Sequence, residues 1–133
     1  AGGRGKGTMR EVPEQHGVKV VPPDLIYGID MDIYAPCALG ATINDDSISK
    51  MNCAVIAGAA NNQLADETVH GNMLIEKGIV YAPDFLINAG GLINVGAELD
   101  GYNRERVMNN VEKIYDRTLE IFDYAETEKM GTG

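Results

Sequence analysis

Ala57-Gly-Ala-Ala-Asn-Asn-Gln-Leu64 and Tyr81-Ala-Pro-Asp-Phe-Leu-Ile-Asn-Ala-Gly-Gly91 decide how this 133-residue chain is read. In each, an apolar strand-like run gives way to small residues and an asparagine. A backbone that approaches a flat ligand at the end of a strand needs that composition: small side chains leave room, and the amide both donates and accepts. The two pieces together predict a cofactor-binding edge on a parallel sheet.

Similar short apolar runs flank them. Strands are predicted over Val18–Val21, Asp32–Ala35, Ala54–Ala57 and Ile79–Ala82. Pro22-Pro23 ends the first and Pro36 the second, because proline cannot donate to a ladder. Asp24 reads as the cap of a helical turn through Tyr27. Short, wholly apolar runs fit a parallel sheet covered on both faces.

Helix signals lie between the strands. Asn44-Asp-Asp-Ser47 supplies caps for a turn into Ile48 and Met51, while Asp66 and Thr68 open a helix that carries Met73 and Leu74 and stops at Gly78. A short helix is expected after the Gly90-Gly91 pair, through Leu99. Asn103 caps a helix of about six turns. Its apolar stripe is Val107, Val111, Ile114, Tyr115, Leu119, Phe122 and Ala125. Strand and helix alternation of this kind predicts an α/β fold with right-handed crossovers.

Composition narrows the function. The length suits one domain, able to bury roughly 70% of its unfolded surface. The net charge is −9, and after Arg4, Lys6 and Arg10 the remainder has eight basic residues against 20 acids, or −12. Such a surface repels phosphate backbones, which disfavours nucleic acid and anionic membranes as partners; plain solubility is the simpler reading. Cys37 and Cys53 sit among apolar neighbours without metal spacing, so buried free thiols are expected. His16 and His70 have no partner at nucleophile or metal spacing and read as surface or capping residues. The residues by themselves assign no metal ligand and no catalytic group.

No apolar run approaches the roughly 20 residues that span a bilayer, and the N-terminus has no apolar signal region; the reading is cytoplasmic. Residues 1–8 read as a flexible leader. Gly3-Arg-Gly-Lys-Gly-Thr8 is neither GxGxxG nor GxxxxGK[ST], and no strand precedes it to aim a phosphate loop.

Asp32-Ile-Tyr-Ala-Pro-Cys-Ala-Leu-Gly-Ala41, Val55-Ile-Ala-Gly-Ala-Ala-Asn-Asn-Gln-Leu64, His70-Gly, Gly78-Ile-Val-Tyr-Ala-Pro-Asp84, Ile87-Asn-Ala-Gly-Gly91 and Gly101-Tyr-Asn-Arg-Glu105 follow one another in the order of a known family. The chain resembles the leucine dehydrogenase branch of the amino-acid dehydrogenases, over about residues 9 to 130. The resemblance implies reversible NAD-dependent deamination of an L-amino acid to its 2-oxo acid and ammonia. In that family an N-terminal domain supplies a catalytic lysine and aspartate, and a Rossmann-type domain presents the nicotinamide. On that pattern the chain is part of a Rossmann-type parallel sheet with flanking helices and a long C-terminal helix. Residues 9–102 correspond to the second half of the NAD-binding domain and 103–133 to a C-terminal helical segment. No lysine here matches the catalytic motif, and neither the GxGxxG turn nor the ribose-binding acid has a match. The chain thus reads as part of a subunit, expected by itself neither to turn over an amino acid nor to bind NAD tightly.

The resemblance also assigns site residues. It places Ala35, Pro36, Cys37 and Ala38 beside the nicotinamide ribose, although packing is the favoured reading of Cys37. Asn61 reaches toward ribose hydroxyls or the carboxamide, or else stabilises its own turn, with Asn62 sharing those roles. Asn88 precedes a helix whose first amides can hold a carboxylate or carboxamide, a role compatible with an N-cap. Leu92 and Val95 resemble positions lining the substrate side-chain pocket and favour leucine, valine or isoleucine over glutamate; core packing is the other reading. Asp84 either orients neighbours at the cleft or satisfies local amides. Subunits of the family assemble, so a homo-oligomer is expected, and an uncovered stripe on the last helix predicts self-association. The alternative is a non-catalytic α/β binding or scaffold module that keeps the fold.

Overall fold

The computed structural model describes residues 16–99 and 101–133; the predicted leader, residues 1–8, lies outside them. Three parallel strands, β1 (Ile33–Tyr34), β2 (Val55–Ile56) and β3 (Val80–Tyr81), pair in the order β1-β2-β3. Ile33, Val55 and Val80 share one row of the register, and Tyr34, Ile56 and Tyr81 the next. The two-residue period sends these rows to opposite faces. The second row joins a core with Ile43, Ile48, Met51, Leu64, Leu74 and Ile79.

That face is covered by α1 (Asp45–Lys50) and α2 (Glu67–Lys77), which contribute Ile48 and Leu74. Both begin as their caps predict. Asn44 Oδ1 accepts the Ser47 N–H at 3.1 Å while Ser47 Oγ accepts the Asn44 N–H at 2.9 Å, and Asp66 Oδ1 accepts the Val69 N–H at 2.8 Å. Gly78 ends α2 at φ 72°, a left-handed position that suits glycine. At the other end of α1, Lys77 Nζ donates to the carbonyls of Ile48, Ser49 and Met51, filling acceptors that a helix terminus leaves open.

His70 is buried, not on the surface. Its Nδ1 accepts the Asp66 N–H at 2.8 Å, which leaves Nε2–H to donate to Asp45 Oδ2 at 3.3 Å. The capping half of the expectation holds; burial follows because the ring ties the first turns of two helices together.

On the opposite face, α3 (Asp84–Ile87), α4 (Gly90–Leu99) and α5 (Arg104–Glu128) pack together, α5 against both others. This face is only partly covered: Ile33 is 58% and Val80 45% exposed, and a hollow of about 680 Å³ between Val55, Ala57, Ala82 and Ile87 and the α5 residues Val111, Ile114 and Phe122 shows that the helix stands off the sheet. The expectation of two covered faces is corrected accordingly. Among the described residues no helix is long and apolar enough to cross a membrane.

Other expectations change too. Val18–Val21 forms no ladder, and Val18 and Val20 are exposed; β-branched residues favour a strand only when a partner edge is present. Asp24 lies inside a 3-10 turn, Pro23–Gly28, whose start has no side-chain cap. Proline at the first position presets φ for the turn and removes one of its unpaired N–H groups. The turn after β1 buries Pro36 and faces Cys37 outward, while Cys53 packs half-buried at the core edge, so neither thiol is fully enclosed.

The packed face of α5 also differs from the predicted stripe. Val107 and Ala125 are buried and Val111, Ile114, Thr118, Ile121 and Phe122 half-buried, whereas Tyr115 and Leu119 point outward. Thr118 takes the position in the repeat because its hydroxyl donates to the Ile114 carbonyl at 2.7 Å, leaving a methyl for packing. The helix has 25 residues, about seven turns instead of six. Much of the stripe is therefore covered within the chain.

Tyr34 carries a measurable consequence of the packing. Burial, helped by Tyr27 with its ring centroid 5.6 Å away, pushes its phenol up to about 12. A folded pKa above the unfolded value of about 10 stabilises the fold fully below pH 10 and is lost as pH rises through the folded value. The urea midpoint is expected to fall as the solution is taken from about pH 9 to 11, and less so in Tyr34→Phe.

Candidate functional site

The carboxyl ends of β2 and β3 open into two loops that meet. After β2, the chain passes so close to the turn after β1 that a Cβ on Gly58 would lie 2.2 Å from the Pro36 carbonyl oxygen, and one on Gly40 would lie 2.7 Å from that of Asn61. Gly58 and Gly40 therefore serve loop against loop, whereas a Cβ on Gly90 or Gly91 would meet nothing within 4 Å. The contact is hydrogen-bonded throughout: Ala60 N–H donates to Pro36 O at 3.0 Å, Ala59 N–H to Cys37 Sγ at 3.5 Å, and Ala41 N–H to Asn62 O at 2.7 Å.

The two consecutive asparagines divide their tasks. Asn62 takes φ 51°, a left-handed conformation that asparagine tolerates, and makes the turn. Asn61 is left with its amide on the rim. Behind it, Gln63 is fully buried, and its Nε2 donates to Gly58 O at 2.6 Å and Ala60 O at 2.9 Å. Its backbone N–H donates to Asp84 Oδ2 at 2.8 Å, so Asp84 serves a backbone amide across the two loops. Gln63 Oε1 has no partner among the described residues. A buried acceptor left so costs about 1–3 kcal/mol.

The β3 loop supplies Asn88. The sequence places it ahead of α4 as an N-cap, but α3 intervenes between β3 and α4, and Asn88 instead closes α3, its N–H donating to Asp84 O at 3.1 Å. Its side chain is thereby free to reach the other loop. Asn88 Nδ2 donates to Asn61 Oδ1 at 2.5 Å. The glycine pair lies within α4, whose start at Gly90 is held by the Ile93 N–H on Ala89 O at 2.9 Å.

Beside the amide pair opens a hollow of about 640 Å³, with Ala59 and Asn61 on the β2 side and Phe85, Asn88, Leu92 and Val95 on the other. Leu92 is 77% and Val95 59% exposed, so neither is a core packing residue. Four of the expected site residues are brought together here: Asn61, Asn88, Leu92 and Val95. Ala35, Pro36, Cys37 and Ala38 are not in the wall; their turn backs the loop that carries Asn61. Below the rim, burial and the nearby Asp84 carboxylate push the Tyr81 phenol well above its usual range, keeping it neutral. His16 is exposed and far along the chain from these loops.

Sequence reasoning missed Phe85 and Gln63. An aromatic residue just past a strand end was visible, as was one long polar side chain in an otherwise small and apolar run, but neither signal says which way the side chain turns.

Several known proteins are similar to this chain. Leucine dehydrogenase of Bacillus subtilis is 59% identical over 119 residues, 87% of this chain and 32% of its own length. The same enzyme of Thermoactinomyces intermedius is 58% identical over 115 residues, 86% of this chain and 31% of its own length. The crystal structure of L-tryptophan dehydrogenase from Nostoc punctiforme matches with a TM-score of 0.91 and 46% identity, over 97% of this chain and 39% of that one. The chain thus spans about a third of the length of these relatives. The model of the Glutamate/Leucine/Phenylalanine/Valine dehydrogenase family matches residues 3–130, and the chain belongs to that family.

Proposed function

We propose that residues 9–102 are the nicotinamide-facing half of an NAD-binding Rossmann-type domain and residues 103–133 a C-terminal helical segment. The whole protein would be a cytoplasmic homo-oligomer that reversibly deaminates leucine, valine or isoleucine to the 2-oxo acid and ammonia. The Asn61–Asn88 pair carries this reading. Its internal bond uses one donor and one acceptor and leaves Asn61 Nδ2 and Asn88 Oδ1 without partners among the described residues. A donor beside an acceptor is the complement of a carboxamide, which presents the same two groups in return.

Bound there, NAD supplies the hydride acceptor. The chain's own part is orientation: the two amides fix the carboxamide, and the backbone at Ala35–Ala38 borders the ribose. Phe85, Leu92 and Val95 give an apolar wall, and among the described residues no lysine or arginine lines the hollow, so an aliphatic side chain is accommodated and a glutamate carboxylate is left unpaired. The leucine dehydrogenase relatives support the substrate class.

A titration of the 133-residue chain tests the assignment. Recognition of the nicotinamide end alone makes nicotinamide mononucleotide bind about as well as NAD, with Kd on the order of 1 mM, and AMP at least about tenfold more weakly. No NADH forms with any L-amino acid, since no lysine matches the catalytic motif. AMP binding as well as the mononucleotide, or neither binding, refutes the assignment and favours a module that has kept the fold for another purpose.

A further inference from the structure

We infer that Gln63 is a positioning residue, whose buried amide sets the β2 loop so that Asn61 meets Asn88; this deepens the nicotinamide reading and rests on it for its binding consequence. Gln63 does not itself line the hollow. Its Nε2 holds the carbonyls of Gly58 and Ala60, the residues on either side of Ala59, and so fixes the curvature of the segment that ends in Asn61. Its backbone N–H on Asp84 joins that segment to the first turn of α3, and α3 ends at Asn88. One residue therefore fixes both halves of the amide pair, one through its side chain and one through its backbone.

The chemistry explains why glutamine occupies the position. Two carbonyl oxygens must be satisfied at once, which requires an NH₂ group; leucine fills the volume without a donor, and a carboxylate places negative oxygens against the carbonyls. Keeping such a residue fully buried, with its acceptor unpaired among the described residues, violates ordinary core composition at the place where consistency is given up for a site.

Three chains test this: wild type, Gln63→Leu and Gln63→Glu. The first readout is solvent exchange of the Asn88 side-chain amide protons, slowed in wild type by the bond to Asn61. In Gln63→Leu that protection is expected to drop at least about fivefold while the backbone amides of α2, remote from the loop, keep theirs. In Gln63→Glu partial protection is expected at about pH 6, where the buried carboxyl is protonated and its one O–H satisfies one of the two carbonyls, and it is lost by about pH 9; wild type shows no such change beyond the ordinary base-catalysed rate. A merely volumetric role produces no pH-dependent difference. The second readout is nicotinamide mononucleotide affinity, expected to fall at least about tenfold in Gln63→Leu and in Gln63→Glu at the higher pH.

Unchanged Asn88 protection in a folded Gln63→Leu overturns the inference, as does a Gln63→Glu chain that matches wild type at both pH values. If Gln63→Leu does not fold, the Gln63→Glu comparison decides alone. Wild type that binds no mononucleotide refutes the nicotinamide reading, while the exchange readout still decides the role of Gln63.

Discussion

Gly58→Ala is expected to lower the melting temperature by roughly 10 °C and to abolish mononucleotide binding. The added methyl would sit 2.2 Å from Pro36 O and 2.5 Å from Pro36 N, distances that no real Cβ contact survives. Both neighbours are backbone, so no side chain can rotate away, and either the β1 turn or the β2 loop must move. Moving either breaks the Ala60 N–H bond to Pro36 O and shifts the Asn61 carrier. Overpacking costs typically 1–3 kcal/mol, and about 3 kcal/mol is expected here because backbone must yield. Gly96→Ala is the control. Gly96 is inside α4, and a Cβ added there would meet nothing within 4 Å, so alanine is expected to raise stability by about 0.5–1 kcal/mol through helix propensity. Thermal unfolding by circular dichroism checks both, and a Gly58→Ala chain that melts with wild type contradicts the loop contact.

Asn88→Ala is expected to weaken mononucleotide binding at least about tenfold while changing the urea midpoint little. The backbone bond that closes α3 does not use the side chain, so the fold keeps its cap; the Asn61 amide loses the partner that orients it. Asn61→Ala should have a similar effect. The double variant is expected to be hardly worse than either single one, because residues that act as one unit are not additive. Isothermal titration of the four chains measures the coupling, and additive losses would mean that the amides act separately.

Local signals were legible where a single residue closes a local hydrogen bond. Asn44, Asp66 and Asn103 each begin a helix through their own side chain, and Gly78 ends one, so those boundaries follow from chemistry within a few residues. The parallel sheet was legible because its strands alternate with those helices. Val18–Val21 was not, since strand formation requires a partner edge that no local pattern specifies. Nor was Thr118, whose place on the packed face of α5 depends on a hydroxyl turned back to Ile114.

The site divides the same way. Asn61 and Asn88 were legible together because parallel strands deliver their carboxyl ends to one rim. The N-cap role given to Asn88 failed because the short α3 carries no strong start signal: Pro83 precedes it with no side-chain cap. Gln63 and Lys77 were silent in the sequence, since each works on carbonyls brought near by folding, and long polar side chains carry no mark of burial until the fold encloses them.

The most direct test of the account is the set of intermolecular NOEs between nicotinamide mononucleotide and the isotope-labelled chain. Contacts from the carboxamide and ring protons to the side-chain amides of Asn61 and Asn88 and the methyl groups of Leu92 are the result expected. Contacts to the hollow beneath α5, or to neither asparagine, would contradict it.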